Sequence, residues 1–234
     1  MGECEEALMN EPTWREIELE RGALRILESG AGNELVVLLH AVGQSPDSFR
    51  PQLAAAPRRF RVLAPELRGH APKASGRSAR PEQAHVRELA GEVAELVRAL
   101  GYDRAHFVGV SMGGVVAQLV AEAHPSLVGS LTLANTWAHY EPEIADGSKE
   151  YISRRDMKNL FAPDAPGELV EQAAVIEGSK DPELFLASWI SMFEPDLRAA
   201  ADELTCPLLL IASEHDPVTP ARYMEAIAAR APGA

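Results

Sequence analysis

Long apolar runs are missing from this 234-residue chain: none approaches the ~20 residues that span a bilayer. The opening Met1-Gly2-Glu3-Cys4-Glu5-Glu6 is acidic and lacks the basic-then-apolar layout of a secretory signal. It also lacks the Ser or Thr at position 6 of a myristoylation signal, so the expected compartment is the cytoplasm. Cysteine is scarce. Cys4 and Cys206 lie far apart, and neither C-x-x-C nor H-E-x-x-H occurs, which argues against a disulfide framework and against a zinc site. Cys206 reads as a small buried hydrophobe at the start of a strand. Basic side chains are the minority, 22 against 35 acidic, leaving a net charge of −13. A field of that sign repels phosphate backbones and anionic lipid, so neither nucleic acid nor membrane is an expected partner.

What is present is an ordinary globular balance, 46% hydrophobic and 24% charged, enough to bury a core and incompatible with disorder or a coiled coil. Short β-rich runs alternate with helical patterns, the layout of a largely parallel sheet flanked by helices. Residues 14–28 read as a hairpin-like pair around Arg21-Gly22. Leu35-Val36-Val37-Leu38-Leu39 reads as a strand buried on both faces. Further strands are expected at 60–64, 105–110, 128–134 and 207–212. Between the runs at 60–64 and 105–110, Pro81 suits a helical first turn. Val86, Leu89, Val93, Leu96, Val97 and Leu100 then recur at helical spacing, and Gly101 suits the C-cap. Residues 138–204 have helical spacing, many acidic groups and no convincing strand, and read as a helical insertion over the sheet.

Gly109-Val110-Ser111-Met112-Gly113 is a G-x-S-x-G pattern with a strand running into it and an apolar helix leaving it. That is the strand–turn–helix setting of a nucleophile elbow, and it makes Ser111 the candidate nucleophile. A serine hydroxyl needs a base, an acid to orient that base, and donors for an oxyanion. Strand 35–39 ends in His40-Ala41-Val42-Gly43-Gln44-Ser45, so the backbone N–H groups of Val42 and Met112 are the candidate donors. His40 is read as a structural histidine holding this loop. Asp216, just past strand 207–212, is the candidate acid, with Glu214 as the fallback.

Four stretches together resemble the α/β-hydrolase fold family, in particular small esterases and lactonases of the 3-oxoadipate enol-lactonase kind. They are Pro65-Glu66-Leu67-Arg68-Gly69-His70, Ala105 through Gly114, Leu133-Ala134-Asn135-Thr136, and Ser213 through Pro220. The resemblance implies Ser111 as nucleophile, Asp216 as acid, and Val42 with Met112 as oxyanion hole. Ala41 stands where the family usually has Gly, and Ala71 where the Arg-Gly-His-Gly word ends. The family order is Ser, then Asp or Glu, then His. Here the seven histidines are 40, 70, 85, 106, 124, 139 and 215, and none of the 18 residues after Asp216 is one. The expectation is therefore an incomplete chain, lacking a final strand, histidine and helix. Its open sheet edge would invite aggregation or a homodimer. His215 is a weaker candidate for a displaced base, because adjacent side chains in an extended loop diverge.

The resemblance implies an α/β-hydrolase core at 1–137 and 205–234, with a cap at 138–204 inserted after the sixth strand. In a capped hydrolase, Trp137, Tyr140, Trp189 and Met192 would line the acyl pocket; packing within the cap is the equal alternative. Arg154 could clamp a substrate carboxylate bidentately, although Arg154, Arg155 and Lys158 also read as a solvated helix face. The expected activity is hydrolysis of a small carboxylic ester or lactone through an acyl-enzyme on Ser111, without cofactor or metal. The alternatives are perhydrolase, haloperoxidase-like or C–C bond hydrolysis, or a binding protein that has lost turnover.

Overall fold

The apolar runs become the strands of a single sheet. In the computed structural model, which describes residues 11–77, 79–141 and 161–232, they are β1 (Thr13–Ile17), β2 (Leu24–Ser29), β3 (Glu34–Leu39), β4 (Phe60–Pro65), β5 (Ala105–Val110), β6 (Val128–Ala134) and β7 (Leu208–Ile211). Their spatial order is β1-β2-β4-β3-β5-β6-β7. The β1–β2 and β2–β4 pairs are antiparallel, and from β4 onward every pair is parallel. Leu35, Val37, Leu38 and Leu39 of β3 are buried, as a central parallel strand covered on both faces requires. The chain reverses direction along the sheet at β3, with β4 on one side and β5 on the other. That is the switch point where the carboxyl ends of strands leave a crevice.

The helices are α1 (Arg50–Ala54), α2 (Val86–Ala99), α3 (Met112–Ala123), α4 (Gly167–Gly178), α5 (Pro182–Ser191), α6 (Arg198–Asp202) and α7 (Arg222–Ala228). Leu89, Val93, Leu96 and Val97 of α2 face the core, and Gly101, at φ +81, ends the helix. Pro81 does not begin α2. It opens a separate 3-10 turn, Pro81–Ala84, in which the Gln83 side chain accepts from the Arg80 N–H at 2.9 Å. His85 is then extended, at φ −67 and ψ 138, so the α-helix starts only at Val86. Helix α3 is buried from Met112 to Ala121, which explains why its sequence is apolar all round. At the other end of the sheet, β7 pairs among the described residues with β6 alone, and Leu209 and Ile211 on it are exposed.

Between β6 and β7 the described residues carry α4, α5 and α6. Hydrogen bonds latch this segment to the loops before α2. The Lys73 N–H donates to the Ser179 carbonyl at 2.8 Å, and the Ser188 hydroxyl to the Ala84 carbonyl at 2.8 Å. The first N–H of α2, on Val86, donates to the Ser191 hydroxyl at 3.2 Å, which in turn donates to the Ser188 carbonyl. Ser191→Ala would leave that Val86 donor buried and unpaired, at a cost of about 1–3 kcal/mol. The expected result is a lower urea midpoint with an unchanged denaturation slope.

Candidate active site

Ser111 sits where β5 turns into α3, at φ 53 and ψ −118, a conformation costly for a residue with a side chain. The surrounding bonds hold it there. Its N–H donates to the Ala134 carbonyl at 2.9 Å, and its own carbonyl accepts from Gly114 N–H and the Thr136 hydroxyl, each at 2.8 Å. The flanking glycines are demanded by close approach. A Cβ on Gly113 would overlap the Leu39 carbonyl, and one on Gly109 would overlap the Gly113 carbonyl. The elbow therefore presses against the end of β3, where Leu39 pairs in register with Gly109. Ser111 also caps α3, whose positive N-terminal end favours developing negative charge beside it.

The loop leaving β3 begins with His40, which is buried and whose ring bridges two backbone groups. Its Nδ1 lies 2.9 Å from the Ala41 carbonyl, and its Nε2 accepts from the Leu67 N–H at 3.3 Å. Burial, and then the neighbouring His70, hold the His40 pKa well below its ordinary value, so the ring is neutral. His40 thus fastens the loop. Among the described residues, neither the Val42 nor the Met112 N–H has a backbone or side-chain acceptor, which leaves both available as donors.

The acid loop follows β7. Asp216 Oδ1 accepts from the N–H groups of Val218 at 2.8 Å and Thr219 at 2.9 Å. Its Oδ2 accepts from the Thr219 hydroxyl at 2.6 Å and from Asn135 Nδ2 at 2.7 Å. Each carboxylate oxygen is thus held by two donors, which fixes the plane of the group. Asn135, itself at φ 46, also exchanges bonds with Ser213, accepting from its N–H at 3.0 Å and donating to its hydroxyl at 2.8 Å. It ties the end of β6 to the end of β7.

A cavity of about 700 Å³ lies over these strand ends. Its floor includes Val42, Ser111, Asn135 and Asp216. Phe161, Leu169, Ala173 and Ile176 with Trp189 and Met192 form an apolar wall, and Gln44, Asp47, Arg50 and Gln52 a polar one. All seven histidines fall within the described residues, and only His40 lines the cavity; His215 is exposed. The expectation that Trp137 and Tyr140 line it does not hold. Both are buried in an aromatic cluster, Trp137 stacked on Phe193 at 5.3 Å and Tyr140 on Tyr223 at 5.0 Å. Large rings gain more by close packing against one another than by facing a solvent-filled space. Arg154, with Arg155 and Lys158, lies outside the described residues. Asn135 and Thr219 escaped the reading of residue roles. Thr219 could have been found from the Asp-Pro-Val-Thr pattern, in which an Asx turn folds the loop back on its carboxylate. Asn135 carried no such local signal, because its partners are 78 and 81 residues away.

This fold and elbow define the class. Residues 34–169 match the family described as the alpha/beta hydrolase fold, and the chain belongs to that family. Among curated relatives, it is 27% identical over 223 residues to the "Putative carbamate hydrolase RutD" of Caulobacter segnis, covering 87% of this chain and 82% of that protein. Among solved structures, a hydrolase from Pseudomonas aeruginosa superposes with a TM-score of 0.82 at 30% identity, over 94% of this chain and 88% of the other. The enol-lactonase from Burkholderia xenovorans superposes with a TM-score of 0.78 at 25% identity, over 94% and 88% of the two chains.

Two predictions follow from the site's packing and charge. Gly113→Ala forces the Leu39 carbonyl away from the elbow, at a cost of at least about 1–3 kcal/mol. Thermal denaturation should show a correspondingly lower midpoint. His70 is fully buried, and burial with the nearby Lys180 ammonium lowers its pKa from 6.5 to about 4. The unfolded chain therefore binds this proton first. Stability is fully present above pH 6.5 and is lost as pH falls towards about 4, by about 3 kcal/mol for this group. Urea midpoints measured between pH 7 and pH 4.5 should fall accordingly, and His70→Gln should flatten the slope by one proton's worth.

Proposed function

We propose that this α/β hydrolase acts on small carboxylic esters or lactones through an acyl-enzyme on Ser111, with residues 138–204 as its cap. The observation that carries the reading is the strained Ser111 elbow on the floor of a mostly apolar cavity shared with the acid loop. In the first step Ser111 Oγ bonds to the substrate carbonyl carbon and gives its proton to a base. The oxyanion so formed lies against the Val42 and Met112 N–H groups and the α3 N-terminus. Collapse breaks the ester C–O bond, and the leaving oxygen takes the proton. Water then attacks the acyl-enzyme, releasing the acid and restoring Ser111. Asp216 orients the protonated base. The apolar wall suits the acyl chain, and the likeness to the enol-lactonase from Burkholderia xenovorans supports an ester or lactone bond.

Binding without turnover is the second reading. It is favoured by His40, the only histidine at the cavity, whose two ring nitrogens already bond the backbone. Labelling by a fluorophosphonate probe, with and without added imidazole as an external base, separates the two. The hydrolase reading expects labelling and p-nitrophenyl acetate turnover that imidazole accelerates and Ser111→Ala abolishes. Asp216→Asn should lower Ser111-dependent turnover about tenfold or more. Absence of Ser111-dependent labelling under both conditions would overturn the hydrolase reading.

A further inference from the structure

Tyr140 leaves β6 six residues beyond its last residue, Ala134, and is buried away from the cavity. Its hydroxyl nevertheless donates to the Val218 carbonyl at 2.9 Å. That carbonyl belongs to the Val218–Thr219 peptide, and the N–H of the same peptide donates to Asp216 Oδ1 at 2.9 Å. A peptide is planar, so fixing its oxygen fixes the direction of its N–H, and hydrogen bonds on the two sides of one peptide polarise each other. We propose that Tyr140 is a positioning residue for the acid loop: through one peptide plane, its hydroxyl sets the N–H that holds the Asp216 carboxylate. This rests on the hydrolase reading, in which Asp216 orients the base.

The ring is placed for that task from three sides. Tyr223 stacks on it at an interplanar angle of 8°, Phe193 lies 4.6 Å away and Trp137 4.9 Å. Phe193 in turn meets Trp189 at 5.7 Å, and Trp189 lines the cavity. A line of rings therefore runs from the cavity wall to the acid loop. Burial raises the Tyr140 pKa, so the hydroxyl keeps its proton and remains a donor.

Tyr140→Phe removes the donor and keeps the ring, which separates positioning from packing. Three readouts on the full chain test it: backbone hydrogen exchange, thermal midpoint, and imidazole-assisted p-nitrophenyl acetate kinetics. The expected result is exchange at residues 216–219 faster by about tenfold, with β5 and α3 unchanged and the midpoint shifted by only a few degrees. Ser111-dependent kcat should fall about tenfold with KM unchanged. Unchanged exchange at 216–219, or faster exchange spread over the whole chain, would overturn the proposal. Faster loop exchange with kcat intact would also overturn it, reducing the bond to a structural one. A Ser111→Ala chain that keeps parental turnover would sink the hydrolase reading instead. It would do so without touching the exchange result.

Discussion

The contact between the first turn of α3 and the end of β3 is the constraint on which the site depends. Gly113 lies so close to the Leu39 carbonyl that no side chain fits between them. This approach holds Ser111 in its strained conformation and sets its hydroxyl beside the loop that carries Val42. The strain is offset locally, because the Ser111 peptide groups bond Ala134, Gly114 and Thr136. Three parallel strands, β3, β5 and β6, thus meet at one residue. A loosening of any of them would reach the hydroxyl, since tightly packed backbone has no slack to absorb a shift.

Around this point, polar groups are used mainly to hold backbone. His40 spans the Ala41 carbonyl and the Leu67 N–H, and Lys180 reaches from the α4–α5 connection to the His70 carbonyl at 2.6 Å. Burial keeps His40 and His70 neutral and lowers the Lys180 pKa. The two rings, 5.1 Å apart, can therefore sit beside a cation without adding charge. The acid loop is treated in the same way. Asn135 holds one end of it through Ser213, and Tyr140 the other through Val218. Both come from the segment that leaves β6, so that segment is the frame on which Asp216 hangs.

Much of the fold was legible because its signals are local. The continuous apolar run Leu35–Leu39, the helical stripe Val86–Leu100 and the words around Ser111 each state their element within a dozen residues. The strand limits 105–110 and 128–134 are met by β5 and β6. The sequence alone does not place the start of α2, because a proline such as Pro81 suits a 3-10 turn as well as an α-helical first turn. Only the Gln83 side-chain bond and the extended His85 decide between them.

The site divides along the same line. By itself, the sequence determined the family, the elbow at Ser111 and Asp216 at the end of a strand, because spacing and residue type suffice for a motif read within one turn. It also determined that no histidine follows Asp216 among these residues. Tertiary structure alone decided that Trp189 and Met192 face the cavity while Trp137 and Tyr140 do not, and that Asn135 and Tyr140 hold the acid loop. Periodicity says that an aromatic residue is buried; which neighbours bury it depends on contacts between residues as distant in the chain as Trp137 and Phe193 or Tyr140 and Tyr223.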